Sequence, residues 1–389
     1  MNTQISEEII PFRIEVSDAV LDDMRQRLAR TRWPAPSPDQ GWKYGTELTY
    51  LQELCEYWRT TYDWRAAEAR LNVWPHFLTS IDGEQIHFIH ARSDEPNAMP
   101  LLLTHGWPGS VTEFLDIIEP LRDPAAFGGD PADAFHVICP SLPGYGWSGP
   151  THQESWNIRR VAEAFAVLMA RLGYERYGAQ GGDWGALATM NLGYVDPIHV
   201  AGIHLNMVVA PPLDPANPTA GLTPTELQAM ADMQHFQEHE TGYQAIQGSK
   251  PQTLGYGLTD SPAGLAAWIV EKFRTWADCD GDIESVFTKD QLLTNITTYW
   301  VTETISSSTR LYYESRRGGG RGSTLPGNVT VPTGVARFPK EIYRPARAWV
   351  EAVYHLTHWS EFPKGGHFAA MEQPEALVGD IRAFFRTVR

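Results

Sequence analysis

The stretch Gln180-Gly181-Gly182-Asp183-Trp184-Gly185 decides the fold, because its small-x-Asp-x-small form is typical of a sharp turn from a strand into a helix. Glycines at both flanks leave no Cβ in the way, so the Asp183 side chain is expected to stand clear of a sheet. The helix start behind it favours an ionised carboxylate. An aspartate that merely caps a helix has the same local sequence, so the turn alone does not establish a nucleophile.

The choice of aspartate indicates the kind of bond that would be attacked. A serine that opened an alkyl electrophile would end as an ether, whereas a carboxylate ends as an ester that water can cleave. The turn therefore points to carbon electrophiles, either epoxides or alkyl halides.

The composition is that of an ordinary globular protein. The 389 residues are 42% hydrophobic and 20% charged, enough for one large α/β domain with insertions or two smaller domains. A net charge of −16 argues against nucleic acid and anionic membrane as partners. Cys55, Cys139 and Cys279 follow no metal-binding or disulfide pattern, and neither a signal peptide nor a membrane span is expected. A cytoplasmic location is predicted.

Helical signals at the start of the chain predict an N-terminal helical extension over residues 1–72 that packs on the core. Ser17 is placed as an N-cap, with Val20, Leu21, Met24 and Leu28 at helical spacing after it. A second helix is expected from Glu47 to about Thr61.

Strand and helix signals then alternate over residues 73–208, the expected first part of the core. Strands are predicted at 77–81, 86–90, 100–104, 135–139, 176–180 and 200–205, and helices at 112–121 and 157–172. This alternation implies an α/β fold with a mostly parallel sheet covered on both faces.

Helical signals replace the strands over residues 209–322, which predicts a helical lid. Helices are expected to open at Thr223, Ser261 and Thr288, and the arginine-glycine run at 316–321 predicts a mobile loop. Strands at 329–335 and 352–356 and a helix at 374–385 predict that residues 323–389 complete the core.

A histidine and an acid stand where a nucleophile of this kind needs partners. His367 lies in a glycine-flanked loop between the last strand and the last helix, where a base must sit to face the turn. Glu341 follows the strand at 329–335, in the usual position of the acid that orients the histidine, although a glutamate capping a helix is an alternative. Glu361 is the second choice.

The loop His105-Gly106-Trp107-Pro108 follows a buried strand, where a backbone N–H is expected to help stabilise an oxyanion. The second donor is the N–H of the residue after the nucleophile. The predicted oxyanion hole therefore consists of the N–H groups of Trp107 and Trp184.

Three motifs carry a specific likeness: His105-Gly106-Trp107-Pro108-Gly109-Ser110, Gly181-Gly182-Asp183-Trp184-Gly185 and Gly365-Gly366-His367-Phe368-Ala369-Ala370. Together they resemble the microsomal-type epoxide hydrolases, the group that includes the juvenile hormone epoxide hydrolases, and the likeness covers nearly the whole chain. The resemblance implies the α/β-hydrolase fold and hydrolysis of epoxides to vicinal diols through a covalent aspartyl ester, with no metal or cofactor. Animal members carry a membrane anchor, whereas none is expected here, so the chain resembles the soluble bacterial branch.

The resemblance implies a role for each matching residue. The nucleophile falls on Asp183, the acid on Glu341, the base on His367, and two lid tyrosines on Tyr243 and Tyr312. The adjacent Tyr313 is an alternative to Tyr312. A phenol with a pKa of about 10 stays protonated at neutral pH and can donate to the opening epoxide oxygen.

The substrate class is predicted from the aromatic surroundings. Phe236 and Gln237 precede Tyr243 by about two helical turns and are expected to share its cavity-facing side. With the tryptophans of the site, they suggest a bulky apolar or aryl epoxide. The sequence does not decide between a role in detoxification and one in secondary metabolism. It is compatible with a homodimer.

Two other functions fit part of the sequence. Haloalkane dehalogenases use the same aspartate turn, with Trp184 then binding halide, but they need further halide donors where this lid supplies tyrosines. A non-enzymatic binding protein on the same fold has no need for nucleophile, base, acid and both tyrosines together.

Overall fold

A nine-stranded sheet forms the centre of the structure, a computed structural model that describes residues 7–38, 41–317 and 328–389. The strands are β1 (Ile10–Phe12), β2 (His76–Ile81), β3 (Glu84–Ala91), β4 (Met99–Thr104), β5 (Phe135–Pro140), β6 (Tyr177–Gly181), β7 (Val200–Leu205), β8 (Val329–Arg337) and β9 (Tyr354–Glu361). Their spatial order is β1-β2-β3-β5-β4-β6-β7-β8-β9. Strands β4 to β9 run parallel, and β1 to β3 add an antiparallel edge, which confirms the mostly parallel sheet.

Three helices form the N-terminal extension: α1 (Asp18–Ala29), α2 (Leu48–Thr60) and α3 (Trp64–Leu71). Helix α3 and the short strand β1 were not predicted. On α1, Leu21, Met24 and Leu28 are buried as expected, but Val20 is exposed. Arg27 donates to the carbonyl and the carboxylate of Asp260, which lies between β7 and β8 in the chain, so α1 contacts that region directly.

The core helices after β4 are α4 (Ile118–Arg122), α5 (Ile158–Arg171) and α6 (Asp183–Val195). The continuous helix predicted for residues 112–121 is wrong. A 3₁₀ turn covers Val111–Phe114, and α4 begins only at Ile118. Pro120 explains the break, because it is tolerated in the first turn of α4 but would remove a hydrogen bond inside a longer helix.

Among the described residues, six helices lie between β7 and β8: α7 (Pro224–His239), α8 (Gly242–Gln247), α9 (Pro251–Asp260), α10 (Pro262–Trp276), α11 (Lys289–Thr302) and α12 (Ile305–Arg317). The predicted openings at Thr223, Ser261 and Thr288 are confirmed, since each side chain accepts a bond from the backbone of its helix. Of the loop predicted at 316–321, the first two residues end α12, and the rest lies outside the described residues. The expected boundary at 322/323 and the first six residues of the extension also lie outside them.

The C-terminal part returns to the sheet through α13 (Arg347–Glu351), α14 (Ala369–Glu372) and α15 (Pro374–Phe385). The strand predicted at 352–356 begins at Tyr354 and runs on to Glu361. Its predicted start is wrong because Val353 still bonds to the carbonyl of Val350 in the turn after α13.

Candidate active site

Asp183 lies at the first position of α6, immediately beyond β6, with a backbone φ of +50°. The turn requires its glycines. A Cβ on Gly181 would lie 2.3 Å from the carbonyl of Gly185, and a Cβ on Gly185 would lie 1.8 Å from the carbonyl oxygen of Thr104. The side chain is therefore held above the carboxyl ends of β4 and β6, where parallel sheets commonly bind ligands.

The loop after β4 contributes a backbone donor to this carboxylate. The N–H of Trp107 donates to Oδ1 of Asp183 at 2.7 Å, and the Trp107–Pro108 peptide bond is cis. Asn295 and Tyr299 of α11 donate to the carbonyls of Pro108 and Gly109, so α11 holds the loop in place. The described contacts of Asp183 do not include the N–H of Trp184.

His367 and Glu341 complete a chain of contacts that ends at Asp183. Nε2 of His367 is 3.5 Å from Oδ2 of Asp183, and Nδ1 is 2.7 Å from Oε1 of Glu341. Burial opposes the imidazolium, but the two carboxylates outweigh it and hold the pKa of His367 well above its usual value. The arrangement holds a buried imidazole between two carboxylates, with one at each ring nitrogen.

Glu341 reaches the histidine because the backbone after β8 runs beside the histidine loop. A parallel bridge joins Lys340 to Gly366, and Glu341 is 2% exposed. The second choice, Glu361, lies at the end of β9 and is 3.7 Å from Arg337. Its described contacts do not include His367.

The histidine loop is fixed by α14 and by the end of α10. The buried carboxylate of Glu372 accepts the N–H groups of Gly366, Phe368 and Asp278. The N–H of His367 donates to the carbonyl of Trp276 at 3.0 Å. The end of α10 therefore helps to position the imidazole.

Two tyrosines, one from α8 and one from α12, lie in the same cavity as the carboxylate. The ring centroids of Tyr243 and Tyr312 are 5.8 Å apart. Tyr243 stacks on Trp107 at 5.3 Å, and Tyr312 meets the edge of Trp184 at 4.8 Å. Burial is the main cause that raises the pKa of both phenols above the usual value, and the charge of Asp183 adds to it. Both hydroxyls are therefore protonated at neutral pH.

Of the two adjacent tyrosines in α12, Tyr312 faces the site. Its hydroxyl oxygen is buried and has no hydrogen-bond partner among the described residues. The Tyr313 ring instead lies 4.3 Å from the guanidinium of Arg317.

A cavity of about 270 Å³ brings the carboxylate and the tyrosines together. Its lining consists of Asp183, Trp184, Leu187, Met207, Val209, Tyr243, Gln244, Gly248, Tyr312, Ser315, Arg316, Ile342 and Tyr343. Besides the site residues and Gly248, this lining combines the apolar Leu187, Met207, Val209 and Ile342 with the polar Gln244, Ser315, Arg316 and Tyr343.

The expectation that Phe236 and Gln237 share this cavity is wrong. Phe236 is buried against Trp276, and Gln237 is exposed and donates to the hydroxyl of Tyr343. Helix α7 ends at His239 and α8 begins at Gly242, so the assumed helical spacing does not continue as far as Tyr243.

Lys272 is a neighbour of the site that the motifs did not identify. Its ammonium lies 4.7 Å from the ring centroid of Tyr243 and pairs with Glu271. Its position could have been predicted from the sequence, because Lys272 lies four residues from both Trp268 and Trp276. This spacing places the lysine on the apolar face of a helix.

Within residues 7–38, 41–317 and 328–389, no cluster of three or more His, Cys, Asp or Glu side chains is arranged to hold a metal ion. Over the same ranges, no helix combines the length and apolar character needed to cross a membrane.

Comparisons with known proteins agree with this geometry. Residues 9–114 match the family model "Epoxide hydrolase N terminus", and residues 99–255 match "alpha/beta hydrolase fold". A Stigmatella aurantiaca protein assigned provisionally as an epoxide hydrolase is 49% identical, covering 98% of this chain and 86% of its own. Epoxide hydrolase 1 of Sus scrofa is 41% identical, covering 97% of this chain and 88% of its own.

A solved structure extends the likeness to three dimensions. The juvenile hormone epoxide hydrolase of the silkworm Bombyx mori is 35% identical and superposes with a TM-score of 0.92, covering 100% of this chain and 96% of its own. None of these relatives supports the haloalkane dehalogenase alternative. The chain therefore belongs to the epoxide hydrolase family of the α/β-hydrolase fold and is an enzyme that hydrolyses epoxides.

Proposed function

We propose that the enzyme opens its epoxide by attack of Asp183 and then clears the resulting ester with water. The observation that carries this proposal is a single cavity that contains the Asp183 carboxylate and the rings of Tyr243 and Tyr312. A nucleophile and proton donors must act at the two ends of one C–O bond, and this cavity supplies both.

In the first half-reaction, Oδ2 of Asp183 attacks an epoxide carbon, because Oδ1 is engaged by the N–H of Trp107. A bond forms between Oδ2 and carbon while the epoxide C–O bond breaks. The released oxygen takes a proton from Tyr243 or Tyr312, the donors nearest the cavity. The product is a hydroxyalkyl ester of Asp183.

In the second half-reaction, His367 accepts a proton from water while the water oxygen bonds to Cγ of Asp183. Negative charge develops on Oδ1 beside the N–H of Trp107, and the N–H of Trp184 is the proposed second donor. The bond between Cγ and Oδ2 then breaks, and Oδ2 leaves within the diol after taking the proton from His367. The remaining water proton restores the tyrosine.

A single turnover in heavy-oxygen water tests this route, with enzyme in excess over styrene oxide. The first-turnover diol should carry no label, because its new oxygen is Oδ2 of Asp183. Mass spectrometry of the peptide containing Asp183 should show the label there. Label in the first-turnover diol would mean direct attack by water and would refute the covalent route.

We propose that the substrate is a bulky apolar or aryl epoxide. Support comes from the cavity lining, in which Leu187, Met207, Val209 and Ile342 surround the space beside Asp183. A panel of aryl and aliphatic terminal epoxides should show the larger apolar members with the higher kcat/KM. An alkyl chloride of similar size should release no chloride. A preference for small polar epoxides would contradict the substrate class.

We further propose that residues 209–322 act as the lid, residues 1–72 as the extension, and 73–208 with 323–389 as the core. The lid assignment draws support from the tyrosines that α8 and α12 contribute.

A cytoplasmic location is supported by three buried cysteines without disulfides. Light scattering of the purified protein would decide between monomer and homodimer.

A further inference from the structure

A second, smaller cavity lies beside the Asp183 carboxylate and is lined differently from the substrate cavity. It measures about 20 Å³, and Asp183 is the residue that both cavities share. Its polar lining comes from Thr104, Glu113, Gln180, Asp183, Asn206 and His367. We call this space the water chamber, because a volume of this size accommodates about one water molecule.

Several polar groups around the water chamber lack partners. Oγ1 of Thr104 and Oε1 of Gln180 are buried without a hydrogen bond to any described residue. The half-buried Glu113 side chain lines the same space. Buried polar groups in folded proteins are almost always bonded to protein or to ordered water. An apolar molecule in the chamber would leave both buried oxygens unsatisfied, whereas a water molecule can bond to them.

The fold makes specific room for the Glu113 carboxyl. A Cβ on Gly109 would lie 1.4 Å from Oε1 of Glu113, so a side chain at position 109 would displace the carboxyl. Burial, together with the charge of Asp183, raises the pKa of Glu113 to about 8, although His367 acts in the opposite direction. At neutral pH the carboxyl is protonated, with one O–H donor and one carbonyl acceptor to offer a water molecule.

We propose that Glu113 holds the water molecule that hydrolyses the Asp183 ester, within the water chamber and in reach of Nε2 of His367. This inference rests on the proposed covalent route and adds a residue that the triad, the tyrosines and the oxyanion hole do not include. Glu113 acts on ester hydrolysis and not on ester formation, because the epoxide is opened in the other cavity.

In this step Glu113 positions the water molecule and does not act as a base, and all protons and bonds of ester hydrolysis are accounted for. Water gives one proton to His367, its oxygen bonds to Cγ of Asp183, and the bond from Cγ to Oδ2 breaks. Glu113 keeps its own proton throughout. Its contribution is the position of the water oxygen, which makes attack on the ester effectively intramolecular.

Two variants separate this role from simple packing. Glu113→Gln keeps a neutral donor and acceptor of nearly the same size, whereas Glu113→Leu keeps the volume and removes both. Glu119→Gln is the matched control, since Glu119 pairs with Arg122 on α4, away from the chamber. Rapid-quench mass spectrometry with excess enzyme follows the ester on Asp183, and so gives the rates of ester formation and ester breakdown separately.

The expected result is that Glu113→Leu slows ester breakdown at least about tenfold and leaves ester formation within about twofold of the wild-type rate. Glu113→Gln should keep both rates within about threefold, because it rescues the hydrogen bonds. The inference is overturned if Glu113→Leu breaks down the ester at the wild-type rate or slows both steps equally. It is also overturned if Glu113→Gln slows ester breakdown as much as Glu113→Leu does. If wild-type enzyme forms no ester at all, the covalent route itself fails, which is a distinct outcome.

Gly109→Ala is a second test that leaves Glu113 in the chain. The backbone at Gly109 is outside the left-handed region, so alanine costs no backbone strain, but its methyl group occupies the place of the carboxyl. It should reproduce the slow ester breakdown of Glu113→Leu. A normal rate of ester breakdown in a folded Gly109→Ala enzyme would count against the inference.

Discussion

Oε1 of Glu341 lies 2.7 Å from Nδ1 of His367, while Oε2 of the same carboxylate has no hydrogen-bond partner among the described residues. Oε1 also accepts the N–H of Ile342, and the negative charge is shared by the two oxygens of the carboxylate. That charge stabilises the imidazolium and turns Nε2 toward Asp183. The pair therefore governs both the orientation and the basicity of the proposed base.

Removal of the Glu341 charge should shift the pH dependence of turnover. Without that carboxylate the imidazolium is less stable, so the pKa of His367 falls and its basic form persists to lower pH. In Glu341→Gln the acidic limb of kcat should move to lower pH, and the maximum should fall about tenfold or more because the base is weaker. Glu361→Gln is the control and should leave the profile unchanged. An acidic limb that stays in place in Glu341→Gln would contradict the role of this pair.

Replacement of Asp183 by asparagine should abolish diol formation without unfolding the protein. The backbone φ of +50° is one that asparagine adopts more readily than most residues, so Asp183→Asn avoids the strain that Asp183→Ala would add. We expect turnover to fall by at least about 10³-fold in both variants. Thermal unfolding should show Asp183→Ala as the less stable of the two. A loss of turnover much smaller than about 10³-fold in Asp183→Ala would exclude Asp183 as the nucleophile.

The features that could be predicted from the sequence are those determined by residues close together in the chain. The turn at Asp183 could be predicted because its glycines allow a close approach of backbone segments that a Cβ would prevent. The histidine loop could be predicted because it lies between the last strand and the last helix. The lid openings followed from side chains that cap their own helices. Each of these features is determined by residues within about six positions of one another.

Other features depend on contacts between distant parts of the chain. The water chamber joins residues 104, 113, 180, 206 and 367, and nothing near Glu113 in sequence indicates that its side chain lines a cavity beside Asp183. The error at Gln237 has a local cause, because Thr241-Gly242 separates two helices that the pattern had treated as one. The water chamber could not be predicted because it depends on tertiary contacts. The placement of Gln237 was wrong because the end of α7 was not recognised.

Asp380 should support the stability of the sheet above about pH 4. It is buried beneath β7 and β9, and although burial favours its neutral form, bonds from His204, Ser360 and His358 lower its pKa to about 2. A folded-state pKa below the unfolded value stabilises the protein above the unfolded pKa, and this stabilisation is lost as the pH falls toward 2. It amounts to about 2 kcal/mol at neutral pH.

Urea unfolding of wild type and Asp380→Asn at pH 7, 5 and 3.5 measures this contribution. The difference in free energy of unfolding should be about 2 kcal/mol at the two higher values and should shrink at the lowest. A difference that is the same at every pH would assign the effect to packing and not to charge.

The two lid tyrosines should contribute to epoxide opening and not to ester breakdown. Tyr243→Phe and Tyr312→Phe each remove one hydroxyl while keeping the ring contacts with Trp107 and Trp184. Each should lower the rate of ester formation by about 10²-fold, and the double variant should lower it further, because either phenol can serve as the remaining donor in a single variant.

Tyr313→Phe is the matched control, since its ring lies against Arg317 and not in the cavity. Single-turnover kinetics with a fixed epoxide would show whether the loss falls on formation of the ester or on its breakdown. Because both phenols must stay protonated to donate, wild-type kcat/KM should hold to pH 10, where an ordinary phenol with a pKa of about 10 would already be half ionised. An equal loss in Tyr313→Phe would mean that the tyrosines of this cavity are not the proton donors. A fall in kcat/KM well below pH 10 would contradict the raised pKa of the two phenols.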